Sequence, residues 1–394
     1  MPLIIPASAT DVVEVLILLL SQWPLLWFLV RDFRPHVPRP VWALIFSSLL
    51  TVWAVCATGI LLQIFSFYIR SALLLNVRTL AVAIQLVWGI LSAYMVTMYA
   101  LYKAVLARSH PAEFSPARRA VLKIAVAGAV AAPVAALGFG ALIERTRFFV
   151  KEIDLPVPGL HPDLAGLRIV QISDLHVSAF LSVADAARVV DMANELRADL
   201  ALVTGDIISS FGDPLEASIR ELGRLRATAG ILGCHGNHEI YANCQGLATR
   251  LGKAHGIEFL RDQARELRFG NGILNVTGVD FQPSGTRAHY LRGAERHVIP
   301  GVTNLLLSHS PDVFPAAVDK GFDTILAGHT HGGQVTVEIL NQTVNLARVA
   351  TPYVAGLYRI DKRSCYVTAG IGTIGLPVRL GAPPEITLLR LRPA

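Results

Sequence analysis

The chain has 394 residues, enough for two domains, and a formal net charge of +6. Hydrophobic residues make up 53% and charged residues 16%, with a mean hydropathy of +0.50, which excludes an ordinary soluble protein throughout. Residues 1–150 hold 12 Lys+Arg against 5 Asp+Glu, a net of +7, and 151–394 hold 23 against 24, a net of −1. The basic balance therefore belongs to the first part and says nothing about a nucleic-acid groove in the second.

Four apolar segments come first: Val12–Val30, Val41–Phe67, Thr79–Tyr102 and Ile124–Ile143. A helix needs about 20 apolar residues to cross ~30 Å of hydrocarbon. Residues 1–150 thus read as a transmembrane domain of about four helices, with the lipid bilayer as partner. Pro24 and Pro133 are tolerable inside membrane helices. Trp23, Trp27, Trp42, Tyr68, Tyr99 and Tyr102 fall near segment ends, where interface anchors belong. The first and third connections carry Arg31, Arg34, Arg39, Lys103, Arg108, Arg118, Arg119 and Lys123. The second, and the stretch after the fourth segment, carry Arg70, Arg78, Arg145, Arg147 and Lys151, a count of eight against five. Connections one and three then face the cytoplasm, and the second domain lies outside, periplasmic or extracellular, on an inner (plasma) membrane. ARRAVLK (117–123) resembles a twin-arginine export signal at Arg118, Arg119, Leu122 and Lys123 and departs from it at Ala117 and Val121. A basic juxtamembrane anchor is the alternative, and cleavage of the fourth segment stays open.

After the Pro-rich LPVPGLHPDL (155–164) the pattern changes. Short apolar runs end abruptly in polar or Gly-containing loops: 167–172, 200–204, 230–234, 304–308 and 323–327. Helical spacing covers 183–198, a second helix precedes the third run, and 333–337, 364–370 and 386–391 read as further strands. The alternation makes 151–394 an α/β domain whose strands are buried on both faces. Sites in such sheets form at the carboxyl ends of the strands.

Each run leads to potential metal ligands: Asp174 and His176, Asp206, then His235-Gly236-Asn237-His238-Glu239, then His309 and Asp312, then His329 and His331 in GHTHGGQ (328–334). In extended backbone, residues i and i+2 share a side, so Asp174 and His176 can grip one ion and His329 and His331 can reach the same cluster. Aspartate can bridge two cations. Mixed carboxylate, amide and imidazole ligands suit Mn, Fe or Zn rather than Ca.

DLH, GD, GNHE, SHSPD and GHTHGGQ resemble, in order and spacing, the calcineurin-like metallophosphoesterases, over about 165–394. With GIGTIGLPVRLGAPPEI (370–386), the likeness points to the membrane-associated bacterial branch of YkuE/YaeI type. The resemblance implies two packed sheets flanked by helices, and two divalent metal ions, manganese first, with Fe, Zn or Mg also admissible. It implies Asp174, His176 and His331 on one metal, Asn237, His309 and His329 on the other, and Asp206 as the bridge. It also implies a metal-bridging hydroxide that attacks phosphorus without a covalent enzyme intermediate. His238 would be the catalytic residue that protonates the leaving oxygen.

Ile207-Ile208-Ser209-Ser210 after Gly205-Asp206 departs from the Ser/Thr protein phosphatases. Ser209 stands where the purple acid phosphatases place a metal-binding tyrosine. The reading is a phosphodiesterase or pyrophosphohydrolase acting at the membrane on a phosphate ester. One alternative is a UDP-2,3-diacylglucosamine pyrophosphatase of lipid A synthesis with a cytoplasmic active site. A non-catalytic metal-binding sensor or scaffold is the alternative of another class. No nucleic-acid partner is expected, and no protein partner can be named. Glu239 reads as orienting its neighbours, and His235 as adjacent to the site rather than part of it. Arg379 in the LPVR turn is either structural or a contact to substrate phosphate, and Cys234 and Cys244 are a candidate disulfide.

Overall fold

The protein is described by a computed structural model covering residues 9–64, 72–108, 116–339 and 342–394. It divides into two compact units, Met1–Gly138 and Phe139–Ala394, so the division falls ahead of the 150/151 boundary read from charge.

The first unit is helical: α1 (Ala9–Phe28), α2 (Arg39–Ile64), α3 (Ala72–Arg108) and α4 (Pro116–Leu142), the last running on into the second unit. Arg39–Leu62 in α2 and Leu80–Leu101 in α3 are long and apolar enough to cross a membrane; among the described residues, only these two stretches are. Leu25, Leu29 and Leu49 form a small core flanked by Trp42, Trp53 and Trp88. The Gln22 side-chain Oε1 accepts from Trp53 Nε1 at 2.7 Å and Trp88 Nε1 at 2.9 Å. In hydrocarbon a polar side chain must find such a partner inside the protein. Residues 117–123 form the first turns of α4, whereas Tyr68 and Arg70 lie outside the described residues.

The second unit stacks two six-stranded sheets. The first sheet uses β1 (Phe149–Val157), β2 (Arg168–Ile172), β3 (Leu200–Thr204), β4 (Ile231–Cys234), β5 (Ile257–Phe259) and β14 (Glu385–Pro393), in the order β1-β14-β2-β3-β4-β5. The second uses β6 (Gln263–Phe269), β7 (Gly272–Val279), β8 (Thr303–Ser308), β9 (Thr324–Ala327), β12 (Gly356–Ile360) and β13 (Arg363–Val367), in the order β12-β13-β9-β8-β7-β6. β10 (Thr336–Ile339) and β11 (Gln342–Asn345) make a separate hairpin.

The period-2 geometry of strands divides the apolar residues between layers. Ile169, Leu200, Leu202, Leu305 and Leu307 fill the space between the sheets. Their neighbours Val170, Ala201 and Val203 face helices α5 (Val183–Glu195), α6 (Leu215–Leu222) and α8 (Gln245–Ala254). Leu306 faces α9 (Phe314–Asp319) on the far side. α5 begins where Ser182 Oγ accepts from Asp185 N and Asp185 Oδ2 accepts from Ser182 N, both at 3.1 Å, a capping box typically worth about 1 kcal/mol. Strands β2, β3 and β4 run parallel, as do β8 and β9. The loops after these five strands therefore carry the ligand-bearing residues.

Candidate metal centre

Those loops bring six of the seven candidate ligands and His238 into one place, with Asn237 next in the chain to His238. Asp174, His176 and His331 offer ligand atoms within 4.8 Å of one another; so do Asp206, His309 and His329, and so do His176, Asp206 and His238. Asp206 Oδ2 lies 3.4 Å from His176 Nε2 and 2.9 Å from His309 Nε2, so one carboxylate oxygen touches an imidazole from each side. His176 Nε2 and His331 Nε2 are 3.1 Å apart, and His331 Nε2 is 3.4 Å from Asp174 Oδ1. Asn237 opens the short helix α7 (Asn237–Tyr241), and its buried Oδ1 has no hydrogen-bond partner.

The backbone pays for this convergence with strain. Asp174, His176, Asp206, His329 and His331 have φ between 49° and 74°, a region few non-glycine residues occupy. The i, i+2 pairs are therefore not extended as the sequence pattern implied. β2 ends at Ile172, and left-handed residues beyond it turn Asp174 and His176 inward. Two glycines leave the room needed: a Cβ on Gly236 would strike the Asp206 carboxylate, and one on Gly328 would strike that of Asp174.

A supporting layer fixes the ligands. His309 Nδ1 donates to the Thr204 carbonyl at 2.7 Å, which leaves Nε2 facing Asp206. Nε2 makes no aligned hydrogen bond there. Glu239 accepts from Asp206 N at 3.0 Å, Ile207 N at 2.8 Å and Gly236 N at 2.8 Å, holding two ligand loops together. It orients neighbours, as its sequence position implied. Ser209 Oγ sits 3.2 Å from His176 Nδ1, and the Ser209 carbonyl accepts from His238 Nδ1 at 2.5 Å. His238 N donates to Asp206 Oδ1 at 2.9 Å.

The electrostatics belong to a site built for cations. Burial raises the Asp174 carboxyl. Burial also works against the Asp206 carboxylate, yet His309 and His176 hold it well below its ordinary range. Burial opposes charge on His309 too, but Asp206 and Asp174 draw its pKa up to about 10. Burial first, then a neighbouring imidazole, pushes His329 and His238 down to about 4 and His331 well below its ordinary value. Neutral imidazoles at His329 and His331, a shielded carboxylate and an orphaned amide oxygen suit divalent cations, and His309 would give up its proton on binding one. The residues fit two such ions.

A cleft of about 500 Å³ opens at His329 and His331, walled by Tyr241, Phe281, Pro283 and Ile374. Phe281 packs 5.2 Å from the His329 ring and Tyr241 5.5 Å from the His238 ring. This wall was not legible in the sequence, because isolated aromatics in loops carry no pattern. A larger hollow of about 610 Å³ beside Asp191, Asn194 and Arg224 contains none of the candidate ligands.

Residues 167–333 match the family of calcineurin-like phosphoesterases. The second unit belongs to the calcineurin-like metallophosphoesterases. It is by class a hydrolase of phosphoric esters. A Danio rerio transmembrane protein with metallophosphoesterase domain is 29% identical over 303 residues, covering 74% of this chain and 67% of that protein. Metallophosphoesterase YkuE of Bacillus subtilis is 29% identical over 254 residues, covering 64% and 86%. Phosphodiesterase YaeI of Escherichia coli is 29% identical over 238 residues, covering 58% and 83%. The first of these relatives joins a membrane part to a metallophosphoesterase domain, in keeping with the apolar α2 and α3 here.

Four other residues singled out in the sequence offer no ligand atom to the metallophosphoesterase centre. His235 stacks on Phe259 and bonds Thr249 at 2.9 Å. Cys234 and Cys244 are both free thiols. Arg379 is fully buried and bonded to backbone carbonyls, which makes it structural rather than a contact to substrate.

Proposed function

We propose that this chain is a dinuclear-metal phosphodiesterase or pyrophosphohydrolase acting at a membrane on a phosphate ester. The observation that carries this reading is the Asp206 carboxylate, placed between His176 on one side and His309 on the other. Asp174, His176 and His331 would hold one ion, Asn237, His309 and His329 the second, and Asp206 both. When bound, two divalent ions supply Lewis acidity and an activated water for in-line attack on phosphorus; manganese is the expected occupant. His238 stands beside this centre with Nδ1–H fixed on the Ser209 carbonyl, leaving Nε2 to exchange a proton with the leaving oxygen. Burial keeps the free ring neutral, so the charge of an arriving phosphate would be what draws a proton onto it. Glu239 and Ser209 keep the ligands in register.

Among the described residues lining the cleft, none is Lys or Arg. That supports a small or apolar phosphate ester over a polyanion such as nucleic acid. Four membrane-spanning helices, an exported catalytic unit and a twin-arginine-like signal at 117–123 complete the reading. The apolar cleft wall also favours a second one, an acylated sugar-nucleotide pyrophosphate cleaved on the cytoplasmic side. Purified full chain in detergent with manganese should be assayed on phosphodiesters, phosphomonoesters and pyrophosphates, and its C-terminus tested for protease access in intact and opened cells. Diester turnover with an external C-terminus supports the first reading, and pyrophosphate turnover with a cytoplasmic C-terminus the second. No turnover in the presence of bound metal would contradict both.

A further inference from the structure

We propose that Arg379, anchored by the end of α4, is a positioning residue that sets the Asp174–His176–His331 half of the metal centre. This rests on the two-metal reading above. Arg379 is fully buried and makes no salt bridge among the described residues; its guanidinium donates instead to backbone carbonyls, and its Nη2 lies 3.3 Å from His331 Nδ1. Nε reaches Gly372 at 2.9 Å, and Nη1 reaches His331 at 3.0 Å, Ala369 at 2.8 Å and Ala382 at 3.0 Å. Nη2 also donates to Gly372. A lone buried cation is costly, and an apolar side chain would fill the space without that cost. What an apolar side chain could not do is join four carbonyls, at His331, in the 369–372 turn and at Ala382, through one rigid planar fork.

Three of those carbonyls, all but that of Ala382, lead to a ligand. His331 is one itself, and its Nδ1 lies 3.3 Å from the Gly372 carbonyl that Arg379 grips. The 369–372 turn donates in its other direction to the first ligand loop, from Ile371 N to Ser173 O at 3.1 Å and from Gly372 N to Asp174 O at 2.7 Å. Arg379 therefore ties His331 to Asp174 through the main chain.

The brace has its own anchor. Arg379 N donates to Gly140 O at 3.2 Å, and Gly381 N donates to Glu144 Oε1 at 3.0 Å. Arg145 donates to the carbonyl of Phe180, on the loop that follows His176. Gly140 sits so close that a Cβ there would meet Val378 Cγ1 at 2.7 Å and the Arg379 carbonyl. The other half of the centre is held by different atoms, Glu239 beneath Asp206 and Thr204 behind His309. The two halves share Asp206, and His329 N donates to Asp174 Oδ1 at 3.0 Å, but their supporting groups are distinct.

The test is calorimetric titration of manganese into metal-stripped full chain in detergent. Wild type should show two sites. Arg379→Met should keep one at wild-type affinity and weaken the other about 10–100-fold, the usual effect of losing a group that orients a ligand. Arg379→Lys, which keeps the charge but lacks the fork, should recover only part of it. Gly140→Ala leaves the guanidinium intact and displaces only its loop, so it should weaken the same single site; it decides the matter if Arg379→Met does not fold. Unchanged affinities, or both sites weakened alike, would overturn the brace. A wild-type chain taking one ion would refute the two-metal reading instead, and the shift that Arg379→Met causes in that ion's affinity would still decide the brace.

Discussion

The helical unit and the metal-binding unit hold themselves together by different means. Around Leu25, Leu29 and Leu49 the helices pack apolar surface on apolar surface, with Gln22 and two tryptophans supplying a small polar node. Around Asp206 nearly every atom has an assigned direction: backbone N–H on Glu239, imidazole on carbonyl, ligand residues in left-handed backbone. Apolar packing is non-directional and tolerates exchange of similar volumes. A polar network is satisfied only as a whole. Single substitutions should therefore be mild in the first unit and severe in the second.

Asp206→Asn should have the largest effect. Without the shared negative charge at least one metal should be lost, and turnover should fall by roughly 10³-fold or more, several kcal/mol of transition-state stabilisation. Metal analysis beside the rate checks it; two ions and normal turnover in that variant would remove Asp206 from its bridging place. His238→Ala comes next. It should keep both ions and lose about 10²–10⁴ in rate on an alkyl ester, whose alkoxide needs a proton. A nitrophenyl ester, whose leaving group departs unaided, should lose much less. Equal losses on both esters together with a missing ion would make His238 a ligand, which the third cluster of ligand atoms permits.

Smaller effects should mark the border between units. A chain beginning at Phe139 keeps Gly140, Glu144 and all of β1, whereas one beginning at Lys151 loses Phe149 and Val150 from their pairing with Glu385 and Ile386. Thermal unfolding should show the shorter fragment less stable by roughly 1–3 kcal/mol, with weakened metal binding; equal stability and activity would return the border to residue 150. In the helical unit, Gln22→Leu should cost only about 1 kcal/mol and leave diester turnover within twofold. A large activity loss there would end the contrast.

What the sequence displayed follows the same division. Strands β2, β3, β4, β8 and β9 were legible because each is a short apolar run buried on both faces and stopped by a polar loop. The ligands were legible because they stand at those stops. β1 and β6 were not: they are sheet edges, and Lys151, Glu152 and Asp154 in one and Arg265, Glu266 and Arg268 in the other hide the alternation. The left-handed backbone at Asp174 and His176 was hidden too, since side-chain type shows no φ. Arg379 left two readings open because its partners are carbonyls, which every residue carries and no sequence pattern marks.

The most direct measurement is turnover of a phosphodiester by the full chain in detergent against manganese bound per chain. Activity should be near zero in chelator, remain low with one ion and reach its plateau at two. A plateau at one ion, or turnover that survives complete chelation, would contradict a dinuclear centre bridged by Asp206.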